Sequence, residues 1–276
     1  MSLEHLSFSS IRKLLSSEKQ FYKRYIKKEY DNVWAENLIV WIIIHKYIEL
    51  FNKDKEPNDY EEFINRQLDS KRENYIKKLD EDGEPEEWED RWSWFYRCKR
   101  GIINFMQADL PRATYAEYKV LTNLTDNEIK FKAYIDAIFI DKDDVKDHTT
   151  DYKTVSRFSS LDGYYGSQKL DKYMLQWALY VLAVQQYDMD IDTHIVQEFK
   201  KTNPRKEKDT EYKNTTLDNW TEIKIVKKTA HRLIEIKYSE QALEFYQNMF
   251  DRYVKRAKQL SSDNMLFHFG DTEVEF

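Results

Sequence analysis

The chain has 276 residues, of which 41% are apolar and 15% aromatic, enough for a substantial core and too hydrophobic for a disordered chain. With 44 Lys and Arg against 50 Asp and Glu, the net charge is −6, which counts against a coat for nucleic acid but not against a local basic groove. The single cysteine, Cys98, excludes an internal disulfide and a cysteine-rich metal cluster and fits a reducing, cytoplasmic setting.

The apolar run Leu38–Ile44 is too short to span a bilayer, and the opening Met-Ser-Leu-Glu-His lacks the marks of a signal peptide. Ser7–Ser10 reads as a helix N-cap, followed by Ile11, Leu14, Leu15, Phe21, Tyr22 and Ile26 at helical spacing, so one helix is expected to about Tyr30. A second helix is expected over 34–51, with Leu38, Trp41, Ile42, His45 and Ile48 on its apolar face. A third covers 59–79, an acidic turn follows at 80–85, and a fourth, rich in tryptophan, covers 86–106. The tryptophan-rich run Trp88–Tyr96 is read as core, although stacking on bases is the other use of such residues. Near Pro111 the period changes. Strands are expected over 114–122, 128–140 and 145–153, joined by turns at 123–127 and 141–144. A polar loop over 156–166 leads to a helix over 167–187 with the stripe Leu170, Tyr173, Met174, Trp177, Val181 and Val184. Then come a strand over 193–199, a polar loop over 200–219, strand over 223–238 that could form one arm of a hairpin, and a last helix capped by Ser239. This order describes a mixed α/β protein, read as one domain over 1–276 with a mainly helical part over 1–110 and an α/β core over 111–276.

The chemistry concentrates between Phe131 and Thr154. Asp136 interrupts the otherwise buried-looking run Tyr-Ile-Asp-Ala-Ile-Phe-Ile, and a carboxylate there needs a partner. Asp151 and Lys153 are two apart on a strand and share a face. Two carboxylates and a lysine brought together by a hairpin suit a divalent metal and an activated water; solvent-facing charges at strand ends are the plainer alternative. Glu117 is a further carboxylate on the preceding strand, and Asp147 shares the strand period of Asp151.

These residues resemble the PD-(D/E)xK nuclease superfamily, in its RecB-like branch. The resemblance rests on His45 in a helix, Asp136 in Lys-Ala-Tyr-Ile-Asp, Asp151-Tyr-Lys153-Thr, and Gln176-Trp-Ala-Leu-Tyr180, and touches residues 6–180. Ala133 and the Val-Trp-Ile-Ile-Ile run before His45 stand where the family often has glycine. The resemblance implies a mixed sheet flanked by helices around a restriction-endonuclease-like core. It implies a Mg²⁺- or Mn²⁺-dependent DNA exonuclease of recombination, repair or phage DNA metabolism. His45, Asp136, Asp151 and the Tyr152 carbonyl would be metal ligands, and Lys153, Gln176 and Tyr180 would assist catalysis. If His45 is a ligand, its second ring nitrogen should meet an acceptor. DNA is the implied partner, with a single-strand annealing protein or a helicase as candidate companions. The iron–sulfur cluster of some relatives is not expected with one cysteine. A structure-specific endonuclease, or a non-catalytic module on the same fold, is the alternative. The basic segments 23–28, 200–208 and 224–232 are candidate DNA contacts or solvated faces.

Overall fold

The computed structural model describes residues 3–28, 36–79, 91–140, 146–158, 163–203, 210–215 and 220–261. The acidic turn at 80–85, the turn at 141–144 and the chain beyond 261 lie outside the described residues. A two-residue strand β1 (His5–Leu6) precedes helix α1 (Phe8–Ser16), which opens on a reciprocal cap between Ser7 and Ser10. The single helix expected to Tyr30 is broken. Ser17 adopts an extended conformation (φ −165°, ψ 110°) and its hydroxyl caps a new short helix α2 (Glu18–Phe21) that passes into a π-turn at Tyr22–Ile26. Adjacent serines offer the backbone caps that compete with helix continuation.

Three helices follow: α3 (Glu36–Asn52), α4 (Tyr60–Leu79) and α5 (Arg91–Met106). The buried stripe of α3 is Ile39, Val40, Ile43, Ile44, Tyr47 and Ile48. Leu38 and Trp41, expected on that face, are exposed. Gly101 of α5 allows the close approach of α3, because a Cβ there would lie 3.2 Å from Ile44 Cγ1 and nearer still to Ile44 Cδ1. The tryptophan-rich helix is only half core: Trp94 and Phe95 are buried, while Trp92 and Tyr96 stand exposed.

Strands β2 (Tyr115–Thr122), β3 (Lys130–Phe139) and β4 (His148–Val155) come next, then α6 (Gly163–Gln185), β5 (Thr193–Lys200), β6 (Thr210–Thr215), β7 (Thr221–Lys227), β8 (His231–Tyr238) and α7 (Glu240–Ser261). The expected polar loop over 200–219 therefore contains a strand, Thr210–Thr215, paired antiparallel with β7. Its charged sequence hides the alternation that marks a half-buried strand. The eight strands form one mixed sheet in the order β1-β3-β4-β5-β8-β7-β6, with β2 on the other edge of β3. The pair β4–β5 is parallel, joined through α6 in the crossover that parallel strands require. One face of the sheet packs on α6 and α7 through residues such as Phe131, Ile135, Val196 and Phe250. The other packs on α3, α4 and α5 through Ala137, Phe139, Tyr152 and Phe199. This is the mixed α/β, restriction-endonuclease-like architecture expected from the sequence.

Candidate active site

The sheet changes character at Asp136. Before it, Phe131, Ala133 and Ile135 face the core of α6 and α7; after it, Ala137 and Phe139 face that of α3 and α5. The strict alternation of a strand slips at this residue. The β3–β4 ladder pairs Ala137–Phe139 with His148–Thr150 and ends there. Continued by one step, it would set Asp136 against Asp151. Instead the Tyr152 backbone N–H, released from the ladder, donates to Asp136 Oδ2 at 2.7 Å. On the other edge, the β2–β3 register would set Glu117 against Asp136 but skips that pair, and Glu117 has φ 51°. A non-glycine residue in this region carries strain of about 1–3 kcal/mol that the surrounding structure must hold. Three carboxylates thus converge where two ladders fail.

Helix α3 brings His45 to the same point. Its Nδ1 lies 3.7 Å from Asp136 Oδ2. Ligand atoms of His45, Glu117 and Asp136 all lie within 4.8 Å of one another. The helix is fixed over the sheet by Asn52, whose Oδ1 accepts from Ala113 N at 3.0 Å and whose Nδ2 donates to the Tyr152 hydroxyl at 3.4 Å. Trp41, one turn before His45, lies against the imidazole with ring centroids 4.2 Å apart. His45 Nε2 is buried and has no hydrogen-bond partner among the described residues, so the acceptor expected for the second ring nitrogen is not found.

Asp151 is turned elsewhere. Its carboxylate receives Lys153 Nζ at 2.7–3.0 Å and the Trp177 indole N–H at 3.4 Å. Trp177 stacks between Tyr173 and His194, and the His194 Nδ1 meets the Thr149 hydroxyl at 2.8 Å. Gln176 Nε2 donates to the Tyr180 hydroxyl at 2.6 Å, both buried on α6. Tyr180 is close enough to Asp151, Asp136 and Glu117 for their charge, added to burial, to raise its hydroxyl pKa.

The electrostatics are those of a site short of positive charge. Burial first, then the charge of Asp151, pushes the Asp136 carboxyl well above its usual range. Burial and Glu49 raise Glu117. Burial opposes the charge on Lys153, but Asp151 and Asp136 outweigh it and keep the ammonium protonated. Burial lowers His45 to about 4, so its imidazole is neutral at physiological pH and competent as a ligand. A neutral imidazole beside two carboxylates of raised pKa suits a divalent cation, which would relieve the repulsion between the carboxylates and accept a lone pair from the ring. Glu117, the further carboxylate on the preceding strand, stands beside His45 and Asp136, and the Tyr152 carbonyl also lies near His45.

The structure therefore gathers His45, Asp136, Asp151, Tyr152, Lys153, Gln176 and Tyr180 in one region, with Asp151 held by Lys153 and Trp177. Asp147 lies just before β4, next to His148, whose pKa its charge helps to hold up against burial. Trp177 was legible only as a member of a buried stripe, and nothing in the sequence marks its bond to Asp151. Of the candidate DNA contacts, Lys200, Lys201 and Arg232 are buried. Arg232 pairs with Glu198, and Lys200 and Arg232 lie against the Phe158 ring, so these cations build the fold rather than a free surface.

A sequence model of the PD-(D/E)XK nuclease superfamily matches residues 5–263 of this chain. No curated protein matches it in sequence. Among solved structures, this chain is similar to the crystal structure of a "Putative exonuclease" from Eubacterium rectale. The identity is 12% and the TM-score 0.53, over 94% of this chain and 81% of the other. At that identity the likeness is one of fold.

Proposed function

The chain belongs to the PD-(D/E)XK nuclease superfamily, and from that premise we propose that it is a Mg²⁺- or Mn²⁺-dependent deoxyribonuclease acting as an exonuclease. One observation carries the reading: neutral His45, Glu117 and Asp136 present ligand atoms within 4.8 Å of one another, beside Asp151 and a protonated Lys153. The residues that would hold the metal are His45, Asp136, Asp151 and the Tyr152 carbonyl, with Glu117 as an additional carboxylate. A bound divalent ion supplies a water of lowered pKa and offsets charge on the scissile phosphate.

The chain's own residues do the rest. Lys153 keeps its proton and places an ammonium where a phosphate oxygen or the attacking water can receive it. Asp151 orients that ammonium, and Trp177 orients Asp151. Gln176 and Tyr180 form a buried polar pair against the same carboxylates. His45 stays neutral and is steadied by the Trp41 ring. We place the activity in recombination, repair or phage DNA metabolism in the cytoplasm, alone or with a single-strand annealing protein or helicase.

The test is incubation of the purified protein with end-labelled linear and covalently closed circular DNA in Mg²⁺, Mn²⁺ or EDTA. Linear DNA should be degraded in the presence of metal and closed circles spared; rapid nicking of circles would replace the exonuclease reading with an endonuclease. Lys153→Ala and Asp151→Asn should lose cleavage by about 100-fold or more while circular dichroism stays native. Wild-type rates in both folded variants would remove this site from the reaction.

A further inference from the structure

The face of β2 and β3 that holds Glu117 and Asp136 does not end at the carboxylates. Along β3, Lys132, Tyr134 and Asp136 alternate with buried Phe131, Ala133 and Ile135. Along β2, Lys119 and Leu121 alternate with Val120, which is buried. The register sets Lys119 opposite Tyr134 and Leu121 opposite Lys132. Helices cover the carboxylate end of this face and leave the other end open: Tyr134 is 52% exposed and Leu121 40%. Neither Lys119 nor Lys132 forms an ion pair with any described residue. Lys132 and Lys28 both lie close enough to His5 of β1 that their charge adds to burial in lowering its pKa, which sets a third cation near this end.

Helix α3 extends over the same direction. Asn52 is fixed at Ala113 and His45 at Asp136. The seven residue steps from His45 to Asn52 span about 10 Å of helix, and the four steps of extended chain from Ala113 to Glu117 span about 13 Å. The helix therefore runs along β2 in the opposite sense. Trp41, one turn before His45 and 37% exposed, is carried toward the Lys119–Tyr134 end.

We infer that this open end of the β2–β3 face, with Tyr134, Lys119, Lys132 and Trp41, is the track along which a single strand of DNA reaches the carboxylates. An exposed ring on an open sheet face is a platform for an unpaired base, which a duplex keeps inside its own stack. Unpaired lysines two residues along from Glu117 and four residues along from Asp136 complement the phosphates of the same strand. Binding energy gained on this track is remote from the bond that breaks and serves to position it. The inference rests on the nuclease reading for what lies at the end of the track, but the track itself is tested without cleavage.

The experiment is fluorescence anisotropy in EDTA with a fluorescein-labelled oligothymidylate and a hairpin-closed DNA duplex. The wild type should bind the oligothymidylate more tightly than the duplex. Tyr134→Ala should weaken single-strand binding about 5- to 100-fold and leave the duplex affinity unchanged. Tyr134→Phe should bind like the wild type. Tyr134→Thr, which keeps strand preference without a ring, should match Tyr134→Ala if loss of stacking and not of folding is the cause. Lys119→Ala and Lys132→Ala should each flatten the dependence of log affinity on log salt by about 0.7. Failure of the wild type to bind the oligothymidylate overturns the inference. So does wild-type affinity in Tyr134→Ala and in a variant carrying both Lys119→Ala and Lys132→Ala, or an equal loss on the duplex. A protein that binds as described yet cuts nothing in metal would overturn the nuclease reading and leave the track standing.

Discussion

Replacing Gly101 with alanine tests whether the approach of α5 to α3 is as close as the structure places it. A Cβ at position 101 would lie 3.2 Å from Ile44 Cγ1 and 3.7 Å from Cγ2, with the terminal Cδ1 closest of all. Ile44 is fully buried, so that methyl can turn away only into a packed interior. In an open helix the change would stabilise by about 1 kcal/mol through propensity. Overpacking a buried site costs about 1–3 kcal/mol, so the net expectation is a loss of about 1 kcal/mol. Ile44→Val removes the offending methyl and alone costs about 0.5–1.5 kcal/mol. Together the two changes should partly cancel, with a coupling of about 1–2 kcal/mol. Urea denaturation of the four proteins in metal-free buffer measures this cycle. His45 follows Ile44 directly, so Mn²⁺ affinity should fall in Gly101→Ala and return in the double variant. A stabilised Gly101→Ala, or effects that simply add, would refute the packing argument.

His45→Ala should weaken Mn²⁺ binding by about 10- to 100-fold or more, a larger effect than its change in thermal stability without metal; calorimetric titration that shows unchanged affinity returns His45 to the core. Mn²⁺ should also support activity better than Mg²⁺, because it accepts an imidazole nitrogen more readily. Stability should fall with acid. Burial holds His45 and His231 near 4, so the unfolded chain takes up protons around 6.5 that the folded one refuses. Stability complete above about 6.5 is then lost as pH falls toward 4, by about 2 kcal/mol for each histidine by pH 5. His148 and His194 are lowered in the same sense, while raised Asp136 and Glu117 act in the opposite one. Denaturation midpoints at pH 7 and pH 5 in EDTA measure the sum, and repeating them in His231→Gln isolates one histidine; a pH difference unchanged by that substitution would show that His231 is not buried neutral.

By itself the sequence determined the elements with clear periods: β2, β3, α6, β5 and α7, the strand character of 223–238, and the change from helix to mixed sheet near Pro111. It also determined the family through His45, Asp136, Asp151-Tyr-Lys153 and Gln176-x-x-x-Tyr180, because each sits at a fixed place on an element whose type was legible. Hydrophobic period is a local property, and so are caps. What lies across the sheet is not. That Glu117 stands beside His45 depends on the β2–β3 register and on a left-handed backbone at one residue, neither of which leaves a signal in a neighbouring side chain. The bond of Trp177 to Asp151 joins an α6 residue to a strand 26 positions earlier; in sequence, Trp177 looks like any apolar member of a buried stripe. The exposure of Trp41 and Tyr134 was hidden for a related reason. Aromatic residues at regular spacing look like core until the neighbouring elements are placed, and only the tertiary structure shows which end of a face the helices leave open.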